Sequence, residues 1–537
     1  MEQLISKYPL VTGPVKAFHN FQISSINAVL NGNSCLVIAP TGKGKSLIYQ
    51  IAGQELSGLT IVVSPLIALI NEQAEFLGED LALSLNSTLS FAEQREVLRD
   101  LADGTYKPKF IFVSPERLQN YFFRAALKKS GLQVSMIVVD EAHCISQWGF
   151  DFRPEYSQIN YFIQFINQLG QRPSILAMTA TIGGDAQRDI INEFSIADDF
   201  IFRDLDFVRK ELRLNFIEVD EEKKKFEVIL SILDQYQPKK VLIYFYDKPN
   251  CRKISNKLND MGWSSATFYS DMDSDDKSDS YHNFKEGEIT ILCATSAFGM
   301  GMNIRDIDMV IHHRLPDSIE EFYQQVGRAA RDKRICPVAN CFALWSEVNI
   351  QYKLDEFIPS VELSLDQIIY TFKSMGLQDQ AGEPQSMKYS DYIKQRLGRI
   401  RYALEKRNII KTIGEVNGSP KSILFNEDNP HWNAMVTKMG FGNSFVRMAT
   451  KSELDLQELI DYVFEKELNG EIKKFPALEK KIFFISDFDN VPVGVAFDII
   501  EESQHLANFK KIQIEKLAEM ISSNDPETYI ELYFQAQ

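Results

Sequence analysis

Two glycines, a lysine and a hydroxyl group fall close together in the run Ala39-Pro40-Thr41-Gly42-Lys43-Gly44-Lys45-Ser46. These are the residue types needed to hold a chain of phosphates. Glycines at 42 and 44 let backbone N–H groups curl around phosphate oxygens. A helix starting at the end of the run would add its N-terminal dipole. Lys45 would reach the β and γ phosphates of a nucleotide, and the Ser46 hydroxyl would ligate Mg²⁺. Thr41, Gly42, Lys43, Gly44, Lys45 and Ser46 are therefore the expected phosphate-binding set, with Ala39 standing where the pattern has its first glycine. A second constellation lies in Val138-Val139-Asp140-Glu141-Ala142-His143. Asp140 would hold Mg²⁺ through water, and Glu141 would orient and deprotonate an attacking water. An Asp-Glu pair after a strand is also met as a plain surface turn, but beside a phosphate loop that reading is weak.

Both constellations need rigid elements beneath them. Short β-branched runs recur at Cys35-Leu36-Val37-Ile38, Thr60-Ile61-Val62-Val63, Phe110-Ile111-Phe112-Val113, Met136-Ile137-Val138-Val139 and Ile175-Leu176-Ala177-Met178. Each is apolar on both faces and followed by a polar or Gly/Pro loop, as buried parallel strands with helical crossovers read. The pattern restarts at Lys240-Val241-Leu242-Ile243-Tyr244, Ile289-Thr290-Ile291-Leu292-Cys293 and Met309-Val310-Ile311-His312. A charged stretch, Asp220-Glu221-Glu222-Lys223-Lys224-Lys225, lies near the junction. The expected fold is thus α/β, with two tandem parallel-sheet domains at 1–206 and 207–347. From 348 onward amphipathic helical stretches dominate, at Leu365–Met375, Leu454–Leu468 and Ile512–Ile521, so a mainly helical C-terminal region is expected. Asp140 and Glu141 would sit at the carboxyl end of a strand, where open α/β sheets bind ligands.

The composition fits several ordinary domains. In 537 residues, 45% are apolar and 25% charged, against wholesale disorder or a fibrous protein. No apolar run approaches the roughly 18–20 residues of a membrane helix, and the start Met1-Glu2-Gln3-Leu4-Ile5 resembles neither a signal nor a transit peptide. A cytoplasmic location is expected, or the nucleus in a eukaryote. The net charge is −16, so attraction for a polyanion must come from local clusters of positive charge. The cysteines are Cys35, Cys144, Cys251, Cys293, Cys336 and Cys341. Only the last two lie close together. A structural zinc site needs four clustered ligands, so reduced thiols and no zinc are expected.

The motifs also occur in a recognisable order. Thr41-Gly42-Lys43-Gly44-Lys45-Ser46, Ser64-Pro65-Leu66, Ser114-Pro115-Glu116-Arg117-Leu118, Asp140-Glu141-Ala142-His143, Thr179-Ala180-Thr181 and Gln324-Gln325-Val326-Gly327-Arg328-Ala329-Ala330-Arg331 resemble helicase superfamily two. The stretches Cys144–Tyr156 and Ala297–Asn303 resemble RecQ DNA helicases rather than DEAD-box RNA helicases. The resemblance covers about residues 15–347 and implies RecA-like domains, ATP as substrate and Mg²⁺ as cofactor. It also implies a set of roles. Gln22 would read the adenine edge, although His19 replaces the arginine usual three residues earlier. Arg328 and Arg331 would be arginine fingers, stabilising charge on the γ-phosphoryl group. Asn303 would lie near the nucleotide. Thr179 and Thr181 would link the ATP site to domain closure. Ser64 would meet a strand phosphate. Trp148 and Phe152 would stack on bases and Arg153 would engage a phosphate, with Phe150 where the family usually has His.

RecQ proteins commonly continue with a four-cysteine zinc module, for which no cysteine follows Cys341 here. In 348–425, Ile393, Leu397, Ile400 and Leu404 recur at helical spacing beside a basic set that includes Arg399 and Arg401, followed by Ile409-Ile410-Lys411-Thr412-Ile413. This reads equally as a winged-helix-like DNA-binding region or as a solvated helix bridging domains. The remainder, 426–537, reads as an acidic helical domain for packing or for a protein partner. The function the resemblance implies is an ATP-dependent DNA helicase that moves 3′ to 5′ on single-stranded DNA and unwinds partly duplex DNA. Two alternatives remain: a DNA-stimulated ATPase that remodels protein–DNA complexes without unwinding, and a nucleotide-gated subunit of a larger repair or defence complex.

Overall fold

The computed structural model describes residues 2–12, 17–40, 42–86, 89, 91–119, 121–146, 154–180, 182–204, 209–299, 302 and 304–368, and beyond these 400, 403, 410–417, 423–425, 479–485 and 493–535. Two all-parallel sheets form the body of the protein. The first runs from edge to edge as Ala82–Leu85, Phe110–Val113, Leu59–Val63, Val134–Val139, Ser174–Thr179, Cys35–Ile38 and Ile201–Arg203. The second runs as Ser265–Phe268, Ile291–Ala294, Val241–Tyr244, Met309–His312, Ala339–Trp345 and Leu212–Glu218. The expected fold class is what the structure has.

Alternation along each strand splits the first core between two faces. Cys35 and Val37 pack on one side with Val62, Phe110 and Phe112. Leu36 and Ile38 pack on the other with Ile61, Val63 and Val139. Helix Lys45–Glu55 lies closely on the first of these faces. A Cβ added at Gly53 would overlap Phe110 Cε1 and stand 2.8 Å from Thr60 Oγ1. Gly53→Ala is therefore expected to destabilise the first domain by about 1–3 kcal/mol. This is read as a lower urea midpoint, and an unchanged midpoint would show that the ring gives way freely.

Strand order sets the site. Leu59–Val63, Val134–Val139, Ser174–Thr179 and Cys35–Ile38 are consecutive neighbours. The residues at or just beyond their carboxyl ends, Ser64, Asp140, Thr179 and Ala39, therefore form a row along one sheet edge.

In the C-terminal region, helices Val493–Ser522 and Pro526–Gln535 are the main described elements, and Ile512–Ile521 lies within the first. There is also a small mixed sheet. Ile410–Asn417 pairs antiparallel with Glu479–Ile485, and Ile423–Phe425 pairs parallel with it. The run at Ile410-Lys411-Thr412-Ile413 is thus a strand, and its partner comes from the segment 426–537 read from sequence as an acidic helical domain. Pairing across this distance is invisible to helical periodicity. No described helix is long and apolar enough to cross a membrane.

Candidate active site

The phosphate loop leaves strand Cys35–Ile38 and enters helix Lys45–Glu55. Gly42 and Gly44 have φ of 85° and 73°, the left-handed region that suits glycine, and Gly44 caps the helix in that conformation. Lys45 Nζ donates to the carbonyls of Ala39 (2.7 Å) and Pro40 (3.4 Å). Burial and Arg331 push its pKa down, while Glu141 and Asp140 oppose the shift. The Lys45 ammonium thus lies within electrostatic reach of both carboxylates and of an arginine from the second domain. Ser46 follows at the start of the helix. Lys43 pairs with Asp204 at 3.3 Å, tying the loop to the end of strand Ile201–Arg203. Thr41 lies outside the described residues.

Asp140 follows strand Val134–Val139, and its N–H donates to the Val63 carbonyl. Burial first, and then the neighbouring Glu141 carboxylate, push the Asp140 pKa up. Ser64 Oγ donates to Asp140 Oδ2 at 3.4 Å and the Tyr156 hydroxyl donates to the Asp140 carbonyl at 2.8 Å. Glu141 has φ 48° and ψ 47°, a conformation that costs a non-glycine residue on the order of 1–3 kcal/mol and persists where surroundings impose it. The short 3₁₀ turn Ala142–Ile145 starts there. His143 is 1% exposed. Its Nδ1 lies 3.0 Å from Thr179 Oγ1 and 3.4 Å from Glu141 Oε2. The Glu141 carboxylate is thereby joined to the next strand of the sheet.

Arg328 and Arg331 arrive from the second domain on the turn after helix Ile319–Val326. Arg328 is 3% exposed. Its Nε and Nη1 are buried without a hydrogen-bond partner among the described residues, and its side chain lies beside Tyr244, whose pKa burial raises and Arg328 opposes. Arg331 Nη1 donates to the Met302 carbonyl at 2.6 Å. Burial, with Arg328 and Arg209 adding like charge, pushes Arg331 down to about 9. Arg331, with Arg328 beside it, thus lies within electrostatic reach of Lys45, which in turn is within reach of Asp140 and Glu141. The orphaned N–H groups of Arg328 fit a polyanion. The Ser46 hydroxyl and Asp140 carboxylate are the hard oxygen donors Mg²⁺ prefers.

Gln22 and Ser64 are both held by neighbouring groups of the first domain. Gln22 is 2% exposed and both ends of its amide are engaged: Oε1 accepts from the His19 N–H, and Nε2 donates to the carbonyls of Lys43 (3.2 Å) and Gly44 (2.9 Å). It braces the phosphate loop. Ser64 is 2% exposed, its hydroxyl turned to Asp140 and its N–H donating to the Val113 carbonyl. It supports the carboxylate. Asn303, Thr181, Trp148, Phe150, Phe152, Arg153, Arg399 and Arg401 lie outside the described residues.

Sequence reasoning missed Arg209. Its Nη1 and Nη2 donate to the carbonyls of Gly327 (2.7 Å) and Ala330 (2.5 Å), and its Nε pairs with Glu211 at 2.8 Å. It holds the turn that carries both arginines, and no motif marks it. The six cysteines are buried free thiols. Among the described residues no cluster of three or more His, Cys, Asp or Glu side chains could hold a metal.

Residues 19–190 match the DEAD/DEAH box helicase family, and residues 224–333 match the helicase conserved C-terminal domain. The chain is 34% identical over 321 residues to the probable ATP-dependent DNA helicase RecS of Bacillus subtilis, covering 59% of this chain and 62% of that protein. It is 35% identical over 324 residues to the ATP-dependent DNA helicase RecQ of Haemophilus influenzae, covering 59% and 50%. The matched part thus spans less than two thirds of either relative. In fold, it resembles the DUF1998 helicase MrfA bound to DNA, with TM-score 0.53, 15% identity, and coverage of 76% of this chain and 58% of that one. It also resembles the helicase Lhr of Mycobacterium smegmatis bound to single-stranded DNA and AMP-PNP, with TM-score 0.51, 16% identity, and coverage of 65% and 49%.

Proposed function

From the premise that this chain is a superfamily-two helicase, with RecQ-family relatives across its two α/β domains, we propose that it hydrolyses ATP to move 3′ to 5′ along single-stranded DNA and separate duplexes. The observation that carries the reading is the electrostatic contact of Arg331, from the second domain, with Lys45 of the first, which is itself within reach of Asp140 and Glu141. A site divided in this way makes nucleotide occupancy and domain closure one event.

Lys45 leaves its resting carbonyls to engage the β and γ phosphates, while the loop N–H groups hold the remaining oxygens. Ser46 and Asp140 would hold Mg²⁺, which when bound neutralises charge on the phosphate oxygens. Glu141, fixed by its backbone geometry, orients the attacking water and takes its proton. The guanidinium groups of Arg328 and Arg331 stabilise charge spreading over the γ-phosphoryl oxygens. Release of phosphate removes what draws the two domains together, and the grip on the strand alternates with it. His143 and Thr179 connect Glu141 to the strand edge, so that closure and carboxylate position change together. On this reading Trp148, Phe152 and Arg153 sense the DNA strand, and Arg399 and Arg401 anchor it.

One experiment tests the proposal: ATP turnover with no nucleic acid, single-stranded DNA, duplex DNA or RNA, run beside strand displacement on 3′- and 5′-tailed duplexes. Stimulation by single-stranded DNA with displacement confined to the 3′-tailed substrate is expected. Stimulation without displacement of either substrate would replace unwinding by remodelling of protein–DNA complexes. ATP binding with negligible turnover under all conditions would point to a nucleotide-gated subunit.

A further inference from the structure

The helix that delivers the arginines is packed between two distant parts of the chain. On one side stand helices Val493–Ser522 and Pro526–Gln535. Their Leu517, Met520, Ile521, Ile530, Tyr533 and Phe534 share a buried core with Phe322, Tyr323, Val326, Ala329 and Ala330. The Phe534 ring lies 5.5 Å from that of Tyr323, tilted at 53°. The Tyr533 hydroxyl lies 2.7 Å from Glu320 Oε1 and 2.7 Å from Gln513 Oε1, in a fully buried setting. On the other side stands Arg209. Its backbone N–H donates to the Tyr323 hydroxyl at 2.8 Å, and its guanidinium grips the carbonyls of Gly327 and Ala330. A continuous path therefore runs from Phe534 through Tyr323 to Arg209 and on to the turn that holds Arg328 and Arg331.

The turn needs holding. Ala330, between the two arginines, has φ 48°, a strained value for a residue with a Cβ. Its amide donates to the Ile307 carbonyl at 2.9 Å and its carbonyl accepts from Arg209. Burying the Glu320 carboxylate against the C-terminal helices is also costly unless a donor meets it, and Tyr533 supplies that donor. An appended module joined only by a linker would need neither the buried hydrogen bond nor the shared core.

We propose that the helical pair 493–535 is a strut for the arginine turn, with Tyr533, Phe534 and Arg209 as positioning residues that set the placement of Arg328 and Arg331. The proposal rests on the ATPase reading above and deepens it: hydrolysis rate becomes a property of C-terminal packing, while nucleotide affinity stays with the first domain.

The test uses the full chain with Tyr533→Phe, which removes only the hydroxyl, and Phe534→Leu, which keeps most of the apolar volume. Phe534→Leu is expected to lower kcat for ATP by about tenfold or more, as small displacements of catalytic groups do, with KM and the affinity for a fluorescent ATP analogue within about twofold. Tyr533→Phe should act in the same direction. Hydrogen exchange across residues 319–331 should be faster in both variants while exchange in the first sheet stays as in wild type. Unchanged kcat and unchanged exchange would overturn the proposal. So would a loss of activity that only follows the fraction of protein folded, with exchange across 319–331 as in wild type. If the wild-type chain hydrolyses no ATP, the ATPase reading fails. The exchange comparison still decides whether the helical pair holds the turn.

Discussion

Arg328→Ala is expected to lower kcat for ATP hydrolysis by about three orders of magnitude, the usual scale for losing an arginine finger. Arg328 is 3% exposed, its Nε and Nη1 have no hydrogen-bond partner among the described residues, and it stands in the second domain. A buried cation with unmet N–H groups is costly unless it acquires an anionic partner. On the proposed function that partner is charge developing on the γ-phosphoryl oxygens, which appears fully only in the transition state. The loss should therefore fall on kcat, with nucleotide affinity changed by less than about tenfold. Arg328→Lys should rescue little, because an ammonium lacks the planar fork. Steady-state turnover together with equilibrium binding of an ATP analogue checks this. A variant with normal kcat and raised KM would make Arg328 a ground-state binder.

Glu141→Gln is the second large effect. A general base contributes about 10²- to 10⁴-fold, and the amide keeps the size and much of the hydrogen bonding while losing basicity. Nucleotide should still bind, so the variant should accumulate as an ATP-loaded, closed form. The left-handed backbone at Glu141 follows from its position between the strand and the 3₁₀ turn, so the substitution should leave the fold alone. Single-turnover hydrolysis at the wild-type rate would place the base elsewhere.

Legibility in the sequence followed contiguity. The phosphate loop and Asp140-Glu141 were readable because their chemistry requires adjacent residues between a strand and a helix. The buried central strands were readable as runs apolar on both faces: Cys35–Ile38, Phe110–Val113 and Met309–His312 occur as expected. The strands not singled out are mostly at sheet edges. Ala82–Leu85, Ile201–Arg203, Ser265–Phe268 and Leu212–Glu218 are the four edge strands of the two sheets. An edge strand has one neighbour and needs no continuous apolar run. Ala339–Trp345 is internal, and Asn340 interrupts its apolar pattern. What holds the arginine turn was not readable, because Arg209 meets Gly327 across 118 positions and Tyr533 meets Glu320 across 213. Neither pairing leaves a local trace. The contacts of Ser64 with Asp140 and of Gln22 with Lys43 and Gly44 were not readable for a related reason: a family position says where a side chain begins, while its neighbours decide which group it meets.

The hydrogen bond between Tyr533 and Glu320 also bears on how the molecule forms. Closing a chain segment of this length costs only slightly more entropy than closing one half as long, so the final state is little penalised. The route to it is. Contacts between residues far apart in sequence slow folding, because the chain must be ordered before they can form. The second sheet can pair its own strands over much shorter separations, yet its helix Ile319–Val326 gains its last neighbours only when the C-terminal helices dock. Sheet formation and maturation of the arginine turn are thus separable in time. A chain caught between them would have native-like strands and a working phosphate loop, and would be hydrolytically silent.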